Sequence, residues 1–81
     1  MKARSTQMTR LRYRLTAPLT VRSLSLGQFL VPAGTILIPA TTMSGPERIA
    51  LAEEISGRIV RSFPSEIERE FWIAKNAKVE I

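Results

Sequence analysis

The chain has 81 residues, 44% hydrophobic and 23% charged, with a net charge of +5 at neutral pH, the balance of one small globular domain rather than of a disordered segment. It contains no Cys, His or Asp, which excludes disulfides, thiolate and imidazole chemistry and the usual zinc and iron sites. Seven Glu remain, with Ser, Thr, Tyr and Lys, and so short a chain has little room for a walled catalytic cleft, so the composition points to a protein that is not an enzyme and takes no cofactor.

Residues 1–9 are polar and without period, and they are expected to form a flexible basic arm before a single β-rich domain over 10–81. From Arg10 the pattern alternates, with Leu11, Tyr13 and Leu15 on one side and Arg10, Arg12 and Arg14 on the other, which predicts a half-buried strand. Its outer face would set the three Arg about 6.6 Å apart, a spacing suited to successive phosphates. An edge strand charged against aggregation has the same pattern. After Ala17-Pro18, residues 19–22 read as a second strand and 23–27 as a loop.

Residues 28–39 then read as two apolar strands folded back on each other. Pro32 pre-sets φ for a turn, and Gly34 can take the positive φ of a bulged hairpin. The polar stretch 41–45 precedes Pro46 and Glu47, and Ile49, Leu51, Ala52 and Ile55 follow. Proline in a first turn, an acid near the positive helix end and an apolar stripe predict a helix over 46–56. Gly57 would close it in the left-handed conformation. Residues 58–63 read as a strand. Ser65 with Glu68 makes a capping box, which predicts a short helical turn over 65–71 with Ile67 and Phe71 on one face. Lys75-Asn76 reads as a turn, and Val79 and Ile81 as a closing strand.

The charge is divided unevenly. Residues 1–46 carry Lys2, Arg4, Arg10, Arg12, Arg14 and Arg22 and no acid, whereas 47–81 hold all seven Glu against six basic residues. A +6 half joined to a half near neutrality points to an anionic partner. The longest apolar run, around 29–40, is too short to span a bilayer and is broken by Pro32, Gly34 and Pro39, and 5–9 is not the apolar core of a signal peptide. A cytoplasmic protein without membrane contact is expected.

Gly57-Arg58-Ile59-Val60, Pro64-Ser65-Glu66-Ile67, Phe71, Ile73 and Lys78-Val79-Glu80-Ile81 together resemble the swapped-hairpin domain of AbrB- and MazE-type DNA-binding regulators and antitoxins. That resemblance implies an intertwined homodimer that presents basic residues to DNA. Arg61 and Ser62 lengthen the link before the proline, Trp72 and Asn76 stand where the family has glycines, and Glu68 stands where it usually has an arginine. Val31-Pro32-Ala33-Gly34-Thr35 with Ile36 and Leu37 is similar, instead, to a hairpin of SH3-like small barrels, including those of short phage and plasmid proteins.

The expected fold is therefore β-rich α+β: a small SH3-like or swapped-hairpin barrel of about five short strands, one helix near 46–56 and a helical turn near 65–71. The expected function is a non-catalytic basic domain, of the kind found in small transcriptional regulators, that engages nucleic acid or a nucleoprotein surface. The alternative is a protein–protein module such as a phage- or plasmid-encoded inhibitor or assembly factor. Candidate contact residues are Arg4, Arg10, Arg12, Arg14, Arg22, Arg58, Arg61 and the lone Trp72. Apolar residues on both faces of 28–38 also predict a homodimer, with 28–38 or 71–81 in its interface.

Overall fold

The computed structural model describes residues 11–42 and 48–80. The described strands are β1 (Tyr13–Leu15), β2 (Leu19–Ser23), β3 (Gly27–Val31), β4 (Ile36–Thr42), β5 (Arg48–Glu53), β6 (Ile59–Phe63) and β7 (Ala77–Val79), with one helix, α1 (Glu66–Asn76). They form a five-stranded antiparallel sheet in the order β6-β5-β4-β1-β7 and a separate hairpin of β2 and β3. The architecture is a small β-rich α+β fold. Where a closed barrel of about five strands was expected, the described residues form two open sheets with seven strands, and β6 and β7 are free edges of the larger one.

The alternation at the start of the chain produces β1: Tyr13 and Leu15 are buried and Arg14 between them is exposed. The apolar stretch 28–39 folds differently from the expected hairpin. β3 pairs with β2, while β4 pairs with β1 and β5. The turn signals are used, but for a corner between the two sheets. Gly34 takes φ +91, Thr35 Oγ1 donates to the Pro32 carbonyl at 2.7 Å, and the Gly34 amide donates to the Leu15 carbonyl at 2.8 Å. Leu15 thus anchors the turn at which the chain passes from one sheet to the other. Pro39 lies within β4, but β1 pairs with β4 only at Ile36 and Leu37. Beyond that point β4 has one described neighbour, and a missing N–H need not interrupt a ladder.

Where a helix was expected over 46–56, the described residues form a strand, β5, and the turn after it. β5 lies between β4 and β6, and Ala50, Leu51 and Ala52 are all buried. A strand covered on both faces needs a continuous apolar run, and Ile49-Ala50-Leu51-Ala52 satisfies that as well as it satisfies a helical stripe. Pairing on both sides then overrides the helix propensity of Ala, Leu and Glu. Gly57 does adopt φ +75, but in the β5–β6 turn, where its amide donates to the Glu53 carbonyl at 2.8 Å. The expected cap over 44–47 lies outside the described residues, as do the arm 1–9 and Arg10.

The N-cap half of the expected capping box forms. Ser65 is the N-cap of α1, and its hydroxyl accepts from the Glu68 amide. The helix then continues past the expected stop at 71 through Asn76, eleven residues in all, so the expected turn at Lys75-Asn76 is helical. Asn76 ends it without a left-handed residue: its carbonyl accepts from both the Thr16 amide and the Thr16 hydroxyl at 3.0 Å, which ties the helix end to the residue after β1. Glu66 and Glu68 in the first turn and Lys75 in the last complement the helix dipole. Arg69 reaches back from α1 to donate to the Ala50 carbonyl at 3.3 Å.

One core joins both sheets and the helix. Tyr13, Leu15, Leu37, Leu51, Val60 and Phe63 of the large sheet pack with Val21 and Val31 of the hairpin and with Ile73 of α1. Leu37, Leu51 and Val31 are fully enclosed, each contributing about 1.5–3 kcal/mol by burial.

Candidate nucleic-acid interface

The basic residues fall into two groups, those held by carboxylates and those that are not. Arg12, just before β1, makes a two-pronged ion pair with Glu54 at 2.7 and 3.0 Å, and this pair raises the Arg12 pKa above its ordinary value. Arg14 pairs with Glu80. The row of arginines read from the sequence is thus matched, in its two described members, by acids from the β5–β6 turn and from the end of β7.

Arg58 is held more firmly. Its guanidinium makes two bonds to the Glu53 carboxylate, at 2.8 and 3.0 Å, and lies over the Phe29 ring at 3.7 Å. Ser56 donates to the same carboxylate at 2.6 Å. The Arg58 hydrogen bonds, with help from Ser56, hold the Glu53 carboxyl below its ordinary pKa. This cluster joins the β5–β6 turn to β3, so Arg58 is occupied in fastening the hairpin to the large sheet. An open depression of about 500 Å³ beside it, lined by Ile36, Ile55 and Arg58 among others, has its one cation already spoken for by Glu53.

Arg61 and Trp72 come together. β6 carries Arg61 on its exposed side between buried Val60 and Phe63, and α1 packs beside it. The Arg61 guanidinium carbon lies 5.7 Å from the Phe63 ring centre and 5.9 Å from that of Trp72. The two rings meet edge to face, 5.9 Å apart at 61°, which fixes Trp72 against the core. Phe71 and Lys75 complete a concavity of about 180 Å³ with Arg61, Phe63 and Trp72, and Glu68 is the one acid among the described residues that line it. Phe71 is 62% exposed. Across β6, Arg61 also lines a groove of about 650 Å³ that it shares with Arg22 of β2.

No family model matches the chain. No curated protein and no solved structure matches it either.

Of the eight residues read from the sequence, Arg61 lines two neighbouring concavities, sharing one with Arg22 and the other with Trp72. Arg12, Arg14 and Arg58 are turned to ion pairs elsewhere, and Arg4 and Arg10 lie outside the described residues. Lys75, Phe71 and Phe63 were missed. Helical spacing carries the signal for the first two, since Phe71 and Lys75 are one turn apart and Trp72 lies between them. Ending the helix at 71 hid it. Among the described residues, no group of three or more potential ligands could hold a metal ion, and no helix is long and apolar enough to cross a membrane.

Proposed function

We propose that the chain is a non-catalytic binding domain that holds single-stranded nucleic acid on the surface of Arg22, Arg61, Trp72 and Lys75. The observation that carries this reading is Arg61 resting against two aromatic rings beside exposed Phe71. Aromatic faces accept bases of any identity by stacking, worth about 1–3 kcal/mol per base, and flanking cations take the phosphates. Arg22, Arg61 and Lys75 have no carboxylate partner among the described residues, so their charge is available to a ligand. The absence of Cys, His and Asp supports a binding role over catalysis.

Salt dependence tests it. Three engaged cations give log K against log salt a slope of about −2 for a single strand, shallower than five or six would give, because Arg12 and Arg14 are matched by Glu54 and Glu80. A slope steeper than about −4 would place the contact on the arginine-rich N-terminal half instead.

A protein partner is the second reading, favoured by Ile67 and Phe71, which lie one turn apart on α1 and are 68% and 62% exposed. Partners captured from a lysate that survive nuclease treatment, and are lost on Ile67→Glu, favour it. Partners lost with the nucleic acid favour the first.

A further inference from the structure

Among the described residues, β2 and β6 are both edge strands, each with one hydrogen-bonded neighbour, β3 and β5 respectively. The groove of about 650 Å³ between them is lined by four consecutive residues of β2, 19–22, and three of β6, 60–62. Side chains alternate along a strand, so a groove lined by one face of a strand would take every second residue. Consecutive residues mean that it runs along the two strand edges, where backbone amides and carbonyls without a ladder partner lie. Val21 and Val60 are buried at its inner side, and Thr20, Arg22, Arg61 and Ser62 are exposed at its outer side. No acid lines it.

We propose that this groove receives an extended, acidic peptide segment of a partner protein, which adds as a strand between β2 and β6. Main-chain bonds to a sheet edge supply affinity in strand addition, and alternate side chains supply selection. Here the inward side chains of the added strand meet Val21 and Val60, and the outward ones meet Arg22 and Arg61. The sequence that fits alternates apolar β-branched residues with Glu. Charge complementarity singles out an acidic segment, because both cations of the groove lack a described carboxylate partner. The peptide and a nucleic acid would share Arg61, so an acidic strand would also compete for the aromatic surface. The inference itself stands on the two strand edges and not on the nucleic-acid reading.

The test is a titration of the isotopically labelled full chain with a short, end-blocked peptide of alternating Glu and Val, followed through backbone amide resonances. Shifts concentrated at 19–22 and 60–62, with amide exchange there slowed about tenfold or more, are expected for added ladder bonds. A peptide of the same sequence with alternate backbone nitrogens methylated keeps every charge but cannot pair, and should bind about tenfold more weakly or worse. Arg22→Ser with Arg61→Ser should weaken the unmethylated peptide while leaving the melting temperature within a few degrees. Equal binding of the methylated peptide would overturn the proposal in favour of charge attraction alone. So would shifts confined to other residues, or an oligothymidylate shifting the amides of 19–22 and 60–62 while the peptide does not. Nucleic-acid binding at Trp72 is read separately by its fluorescence, so failure of either reading leaves the other standing.

Discussion

Arg58 separates a structural role from a ligand-binding one, and Arg58→Met tests which it has. The native guanidinium makes two bonds to Glu53, whose side chain is only 12% exposed, and covers the Phe29 ring at 3.7 Å. Methionine keeps an apolar stem over Phe29 but removes the charge. The lost hydrogen-bonded ion pair costs about 1–2 kcal/mol, and the lost cation–π contact about 0.5–1 kcal/mol. Glu53 is left with Ser56 as its remaining described side-chain donor, and that under-satisfied carboxylate adds about 1 kcal/mol. For a domain of this size a total near 3 kcal/mol lowers the melting temperature by about 12–24 °C. Thermal unfolding followed by circular dichroism measures it. In a double-mutant cycle with Glu53→Gln, the coupling energy should exceed about 1 kcal/mol. A drop of less than about 3 °C, or additivity with Glu53→Gln, would refute the fastening role and return Arg58 to the pool of ligand contacts.

Leu51→Ala, which opens a cavity at a fully buried site, should cost about 3 kcal/mol in urea unfolding at unchanged m-value. Gly57 sits at φ +75 with open space where a Cβ would stand, so Gly57→Ala should cost about 1 kcal/mol through backbone strain alone. Glu53 has its folded pKa depressed below the ordinary 4.5; its contribution is therefore complete above that value and is lost as pH falls through the folded one. A pH series of melting temperatures should show this acid-side loss in the native chain and lose that component in Glu53→Gln. The homodimer expected from the sequence predicts a light-scattering mass near twice 9.1 kDa at micromolar concentration, and a mass of one chain that does not change on concentration would remove it.

Legibility in the sequence followed how local the determining interactions are. The alternation around Tyr13, the cap at Ser65 and the positive φ of Gly34 and Gly57 depend on a few neighbouring residues, and all are present. Strand partners depend on the whole chain. The turn at Pro32 and Gly34 was readable, but its capture by Leu15, far away in sequence, was not. Residues 49–52 satisfy a helix and a doubly covered strand equally, and only the presence of β4 and β6 on both sides decides between them. The same limit applied to the site. Counting charges gave an acid-free N-terminal half, yet Glu54 and Glu80, both from the C-terminal half, fold back onto Arg12 and Arg14. Arg61 and Trp72 were named singly; their meeting over Phe63 is a tertiary fact.

The central claim is that nucleic acid engages Arg61 and Trp72 rather than the β1 arginines. Trp72 is the only tryptophan, so its fluorescence reports the site without a label. Titration with an oligothymidylate at ~50 mM salt should quench that signal saturably. Arg61→Ala should weaken binding about tenfold, consistent with loss of ~1.4 kcal/mol, while Arg12→Ala with Arg14→Ala should leave it within about threefold. No quenching, or a larger loss from the β1 pair than from Arg61, would contradict it.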